Sequence, residues 1–113
     1  MMKNRIPLPD GGSMERLYDR ALIMENGYQE RYEELLMNNT KEGVVLVYIH
    51  SNMDKTGVLI SDLDTIAKAL KCSRTRISRA VSLLKEKYGD LVRVEKYRNT
   101  SKFVVNTARC FKA

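Results

Sequence analysis

Residues Ser61 to Leu84, SDLDTIAKALKCSRTRISRAVSLL, contain two short helical patterns with a tight break between them. Ile66, Ala67 and Leu70 recur at i, i+1 and i+4, one apolar stripe on a helix. A second stripe follows at Ile77, Ala80, Val81 and Leu84. Lys71-Cys72-Ser73 is too short for a wandering loop, so the spacing predicts two helices that cross steeply. The capping chemistry agrees. Ser61 with Asp64 reads as an S-x-x-D capping box at the start of the first helix. Ser73 stands where the second helix should open, and its hydroxyl can satisfy an orphaned amide. Cys72 falls where a small apolar side chain must plug the turn.

With Ile77, Val81 and Leu84 turned inward, a 100° step puts Thr75, Ser78, Arg79 and Ser82 on the opposite face of the second helix. Ser73, Arg74 and Arg76 project from its first turn. Arginine can fork onto guanine O6 and N7, and small hydroxyls bond base edges or phosphates while letting a helix approach closely. The pattern is that of a helix-turn-helix whose second helix reads the DNA major groove. The alternative is a solvated amphipathic helix in an interaction domain.

Downstream, a hairpin is legible. Tyr88-Gly89-Asp90 is expected to end the helix, with Gly89 as the left-handed residue. Leu91 to Tyr97 alternates apolar Val92 and Val94 with charged Arg93 and Glu95, a half-buried strand. Asn99-Thr100-Ser101 reads as the turn and Lys102 to Asn106 as the return strand. The tip is basic and polar: Lys96, Arg98, Asn99, Thr100, Ser101 and Lys102 could reach an adjacent minor groove or the backbone. Upstream, Lys55-Thr56-Gly57 makes a turn and Val58-Leu59-Ile60 a short strand able to pair with this hairpin. At the C-terminus Phe111 is expected to tuck against the core.

The segment IAKALKCSRTRISRAVSLLKEKYGDLVRVEKYRNTSKFVVN resembles the helix-turn-helix and wing of winged-helix DNA-binding proteins, a likeness running from Ser61 to about Asn106. The resemblance implies an α+β chain: a winged helix-turn-helix of three core helices and a β-hairpin wing, with an N-terminal helical extension. It implies sequence-specific binding of double-stranded DNA. The closing FVVNTARCFKA is similar to the end of winged-helix domains in plasmid replication proteins of the RepL type, where a return strand meets an Asn-Pro pair and then an aromatic-basic-Gly ending. Here Asn106 is kept, Thr107 replaces the proline and Ala113 the glycine. That likeness implies origin binding in mobile-element replication or conjugative transfer. A dimeric repressor of the MarR or GntR-like kind is the alternative. A winged-helix interaction module without DNA binding is another, although it would not be expected to expose Arg74, Arg76, Arg79 and Arg98 together.

Residues 1–12, with Pro7, Pro9, Gly11 and Gly12, read as a flexible arm. Residues 13–39 read as a helical extension: Ser13 caps a stripe of Met14, Leu17, Tyr18, Ala21 and Leu22, Asn26-Gly27 stops it, and Tyr28, Tyr32, Leu35 and Leu36 form a second stripe. This surplus apolar surface serves as a homodimer contact suited to a two-fold DNA site, or packs across the core; both readings stand. Residues 40–113 form the winged-helix domain. Lys41 to Asp54 is β-branched enough for a strand but too continuously apolar for a surface one, so it is read as the first core helix, with Thr40 and Glu42 at its start. His50 is expected to be a partly exposed structural residue.

Charge divides sharply along the chain. Residues 65–113 hold 13 Lys or Arg against 3 acids, a net of +10, whereas residues 1–64 hold 7 against 11, a net of −4. The positive field thus concentrates on the reading helix and hairpin, where it would neutralise phosphates. The longest apolar run, Val44 to Ile49, is far short of a membrane span, and no secretory leader is legible. Cys72 and Cys110 form no CxxC pair and His50 is the lone histidine, which argues against zinc and disulfides and for a reducing cytoplasm. No phosphate loop, nucleophile elbow, HExxH or paired carboxylates suggest an enzyme, and no metal, cofactor or small-molecule substrate is expected.

Overall fold

The computed structural model describes residues 22–112; the expected arm at 1–12 and the helix expected from Ser13 lie outside them. The chain runs β1 (Leu22–Met24), α1 (Asn26–Asn38), α2 (Thr40–Asn52), β2 (Val58–Ser61), α3 (Leu63–Leu70), α4 (Arg74–Lys87), β3 (Arg93–Tyr97), β4 (Thr100–Val104) and β5 (Cys110–Lys112). Four helices and two small antiparallel sheets make it α+β, an order compatible with a winged helix.

Asn26-Gly27 opens a helix here instead of stopping one. The reason is Glu25, whose carboxylate accepts from the Tyr28 amide at 3.0 Å and so caps α1. Leu22, expected at the end of a helical stripe, stands in β1. Only Asn39 separates α1 from α2, and the two helices fold back on each other closely enough that Gly43 sits against Leu36. Tyr28 and Leu35 are fully buried in one cluster with Leu46, Ile49, Ile66, Ile77, Leu84 and Phe103. Residues 26–38 therefore share the core of residues 40–112, the packing across the core that was one of the two readings of this element.

The valine-rich segment is helical, as expected. Val45, Leu46, Ile49 and His50 face inward, while Val44 and Val47 are exposed. The helix begins at Thr40 with Glu42 in its first turn, as expected; Asn39 takes the cap position without a side-chain bond, and the Thr40 hydroxyl donates to the Leu36 carbonyl at 2.9 Å. His50 is not partly exposed; its side chain is buried, with Nε2 2.8 Å from Tyr28 Oη.

Helices α3 and α4 follow the two apolar stripes, burying Ile66 and Ala67 against Ile77, Ala80, Val81 and Leu84. Lys71 ends α3 in the left-handed conformation (φ 56°) and turns the chain into α4. Ser73 caps α4, accepting from the Arg76 amide at 3.2 Å. The cap of α3 is Asp62, which accepts from the Thr65 amide at 2.7 Å, and not Ser61, which ends β2 opposite Ser101.

The larger sheet has the order β2-β4-β3. Its hairpin turns on Arg98 and Asn99 alone, between paired Tyr97 and Thr100, so Thr100 and Ser101 belong to β4 and not to the turn. Strand β3 begins at Arg93, after buried Leu91 and Val92. Gly89 is not left-handed: the Leu91 and Val92 amides donate to the Tyr88 carbonyl at 2.9 and 3.1 Å, and this reverses the chain without a positive φ. The second sheet pairs β1 with β5, tying the two ends of the described chain together. In β5 it is Cys110 that is buried, so alternation turns Phe111 outward, the reverse of the expected tuck. Among the described residues no helix is long and apolar enough to cross a membrane.

Candidate nucleic-acid interface

The first turn and outer face of α4 carry Ser73, Arg74, Thr75, Arg76, Ser78, Arg79 and Ser82, and every one of them is exposed. They are exposed for the reason that gives the helix its place. Ile77, Ala80, Val81 and Leu84 anchor one side in the core, and 3.6 residues per turn leaves the polar set on the other. On the hairpin Lys96, Arg98 and Asn99 are exposed, and Thr100, Ser101 and Lys102 are half-buried.

Tertiary structure brings part of these two sets together. A cleft of about 340 Å³ is lined by Arg74 from the start of α4, by Lys96, Asn99, Thr100 and Ser101 from the hairpin, and by Asp62 and Leu63 from the start of α3. Register explains why Lys96 and Ser101 take part, whereas Asn99 and Thr100 reach the cleft from the tip of the hairpin. Lys96 is paired with Ser101, and Ser101 in turn with Ser61, so their side chains share the face turned toward the helices. Lys102, paired with Glu95 and Ile60, belongs to the opposite face and is not brought to this cleft.

The cleft is mixed in charge. Arg74 Nε lies 3.3 Å from Asp64 Oδ1, with both side chains about two-thirds exposed (67% and 66%). A pair so open to water holds its partners weakly and can exchange for another anion. Hydrogen bonds from Thr65, the side chain first and the amide second, keep the Asp62 carboxyl below its ordinary range. Among the described residues Arg76 and Arg79 make no ion pair. Arg98 holds a left-handed φ of 56° at the first turn position, and its guanidinium lies over the Tyr97 ring, 5.6 Å from the centroid.

Two features escaped the sequence reading. One is the acidic rim: in the sequence Asp64 reads only as part of a capping box and Asp62 is not singled out, and the fold sets them beside Arg74. The other is Tyr97, 40% exposed at the base of the turn; its position in LVRVEKY, in phase with Arg93 and Glu95, already assigns it to the outward face. Cys72 is half-buried, as a turn plug should be, and helps line an apolar dimple of about 140 Å³ beneath Arg76 and Lys41. Among the described residues no group of three or more His, Cys, Asp or Glu is placed to hold a metal ion. Compared with known proteins, the chain matches no family model, no curated protein and no solved structure.

Proposed function

We propose that the protein is a winged helix-turn-helix that binds double-stranded DNA sequence-specifically. In this reading α4 enters the major groove, with Arg74, Arg76 and Arg79 as readers of base edges and Ser73, Thr75, Ser78 and Ser82 as close-approach contacts. The hairpin lies beside it as the wing, with Arg98 and Asn99 reaching the neighbouring minor groove or backbone and Lys96, Thr100 and Ser101 contacting phosphate. The observation that carries the reading is the shared cleft: Arg74 of the helix and Lys96, Asn99, Thr100 and Ser101 of the hairpin open onto one side of the molecule. A strand of duplex backbone running between a helix in one groove and a hairpin at the next needs that juxtaposition.

The narrower role is origin binding in mobile-element replication or conjugative transfer, which rests on the resemblance of residues 103–113 to RepL-type endings. Asn106, the residue that likeness keeps, makes an Asx turn after the return strand, its Oδ1 accepting from the Ala108 amide at 2.9 Å. A homodimer on a two-fold site belongs to the same proposal. Because Tyr28 and Leu35 are buried within the chain, its contact must use other surface.

The test is titration of labelled duplexes with wild type, Arg79→Ala and Arg98→Ala, followed by footprinting on DNA adjoining the gene. Each substitution is expected to weaken specific binding about ten-fold or more. Binding indifferent to both would leave the interaction-module alternative standing.

A further inference from the structure

Except at Thr100, which also borders the cleft, the outer face of the β2-β4-β3 sheet is set apart from it by register. By strand alternation it carries Arg93, Glu95 and Tyr97 on β3, Thr100, Lys102 and Val104 on β4, and Val58 and Ile60 on β2. Two large side chains are open on it: Tyr97 is 40% exposed and Ile60 47%. Arg93 and Glu95 neutralise each other at 2.7 Å, whereas Lys102, among the described residues, makes no ion pair. The face is thus a mixed surface with a partly exposed aromatic ring and a net positive charge.

The turn adds a second observation. The first position of this two-residue turn has φ 56°, a conformation glycine adopts freely and a side chain adopts at a cost. Arginine occupies it nonetheless, and its guanidinium lies over the Tyr97 ring. The turn thereby sets a cation beside the ring at the tip of the hairpin.

We infer that this face binds unpaired nucleotides, with a base stacking on Tyr97 and the adjoining phosphates against Arg98 and Lys102. An exposed ring flanked by cations suits a single strand because every unstacked base offers a π face, whereas a duplex keeps its bases stacked inside. The inference is independent of the duplex reading except at Arg98, since Lys96 and Arg74 open on the other side of the hairpin.

The experiment titrates the full chain with labelled dT and U oligonucleotides and with an abasic oligonucleotide of equal charge. Wild type should bind dT or U, the tighter of the two telling whether the strand is DNA or RNA, and should bind the abasic strand far more weakly. Tyr97→Ala should lose about ten-fold, the effect of one lost base–aromatic stack, while Tyr97→Phe keeps wild-type affinity. Arg79→Ala, on α4 and not on this sheet face, should leave single-strand binding unchanged, so a failure of the duplex reading does not carry over to this one. Equal binding of the abasic strand, or no loss in Tyr97→Ala, would overturn the inference. Thermal melts of each variant separate loss of the ring from loss of the fold.

Discussion

His50 shows how a single buried imidazole couples the fold to acid. Its Nε2 faces Tyr28 Oη at 2.8 Å, and that hydroxyl donates to the Leu91 carbonyl at 3.0 Å, so the imidazole donates to the tyrosine oxygen and stays neutral. Nδ1 is buried with no partner among the described residues. Burial, and to a lesser extent the ammonium of Lys112, together lower the His50 pKa to about 4. Tyr32 and the Cys110 thiol, the latter pushed up by burial, also face the ring and carry no charge at these pH values. Because the folded pKa is depressed, the unfolded chain takes up the proton first as pH falls. Stability is complete above about pH 6.5 and is lost progressively toward pH 4, by up to about 3 kcal/mol. Urea melts at pH 7.5 and 4.5 check this, and equal stability at the two would contradict it. Gly57 is a second residue-scale constraint: it has φ 82°, and a Cβ there would lie 2.4 Å from the Val105 carbonyl oxygen. Gly57→Ala is expected to destabilise by about 2 kcal/mol or more in a thermal melt, through backbone strain and that clash together.

At the scale of elements, the start of α3 separates what local chemistry proposes from what pairing selects. Ser61 and Asp62 are both good N-caps, but Ser61 is held in β2 opposite Ser101, which leaves the cap to Asp62. Asp62→Ala should therefore cost about 1 kcal/mol in chemical denaturation, and Ser61→Ala less than about half of that. The reverse order would mean the helix begins one residue earlier. The same competition accounts for the hairpin. The turn was read at Asn99-Thr100-Ser101, but Val94 must face Phe103 in the core, and that register closes the strands onto Arg98 and Asn99. Helix α2, in contrast, was legible despite its valines, because the run Val44 to Ile49 is too continuously apolar for a surface strand, although Val44 and Val47 are exposed in the folded chain.

At the scale of the molecule, the division of charge becomes a surface only through folding. On the proposed reading, seating roughly four phosphates would make affinity for duplex fall about a hundred-fold when salt is raised four-fold, which anisotropy titrations at two salt concentrations measure directly. Affinity indifferent to salt would remove the phosphate contacts from the proposal. The sequence alone determined the helices α2, α3 and α4, the Ser73 cap and the outward-facing α4 residues, because periodicity and capping are local properties that three or four neighbouring residues settle. It determined the positive C-terminal half for the same reason: charge is additive along a chain. Tertiary structure alone decided that Tyr28 and Leu35 complete the core, that Cys110 and not Phe111 turns inward beside His50, and that Lys96 joins Arg74 while Lys102 and Tyr97 face away. Those outcomes depend on strand register and on contacts between residues far apart in sequence, such as Tyr28 with Leu91 at 63 positions, and no local pattern encodes which distant partner a side chain will meet.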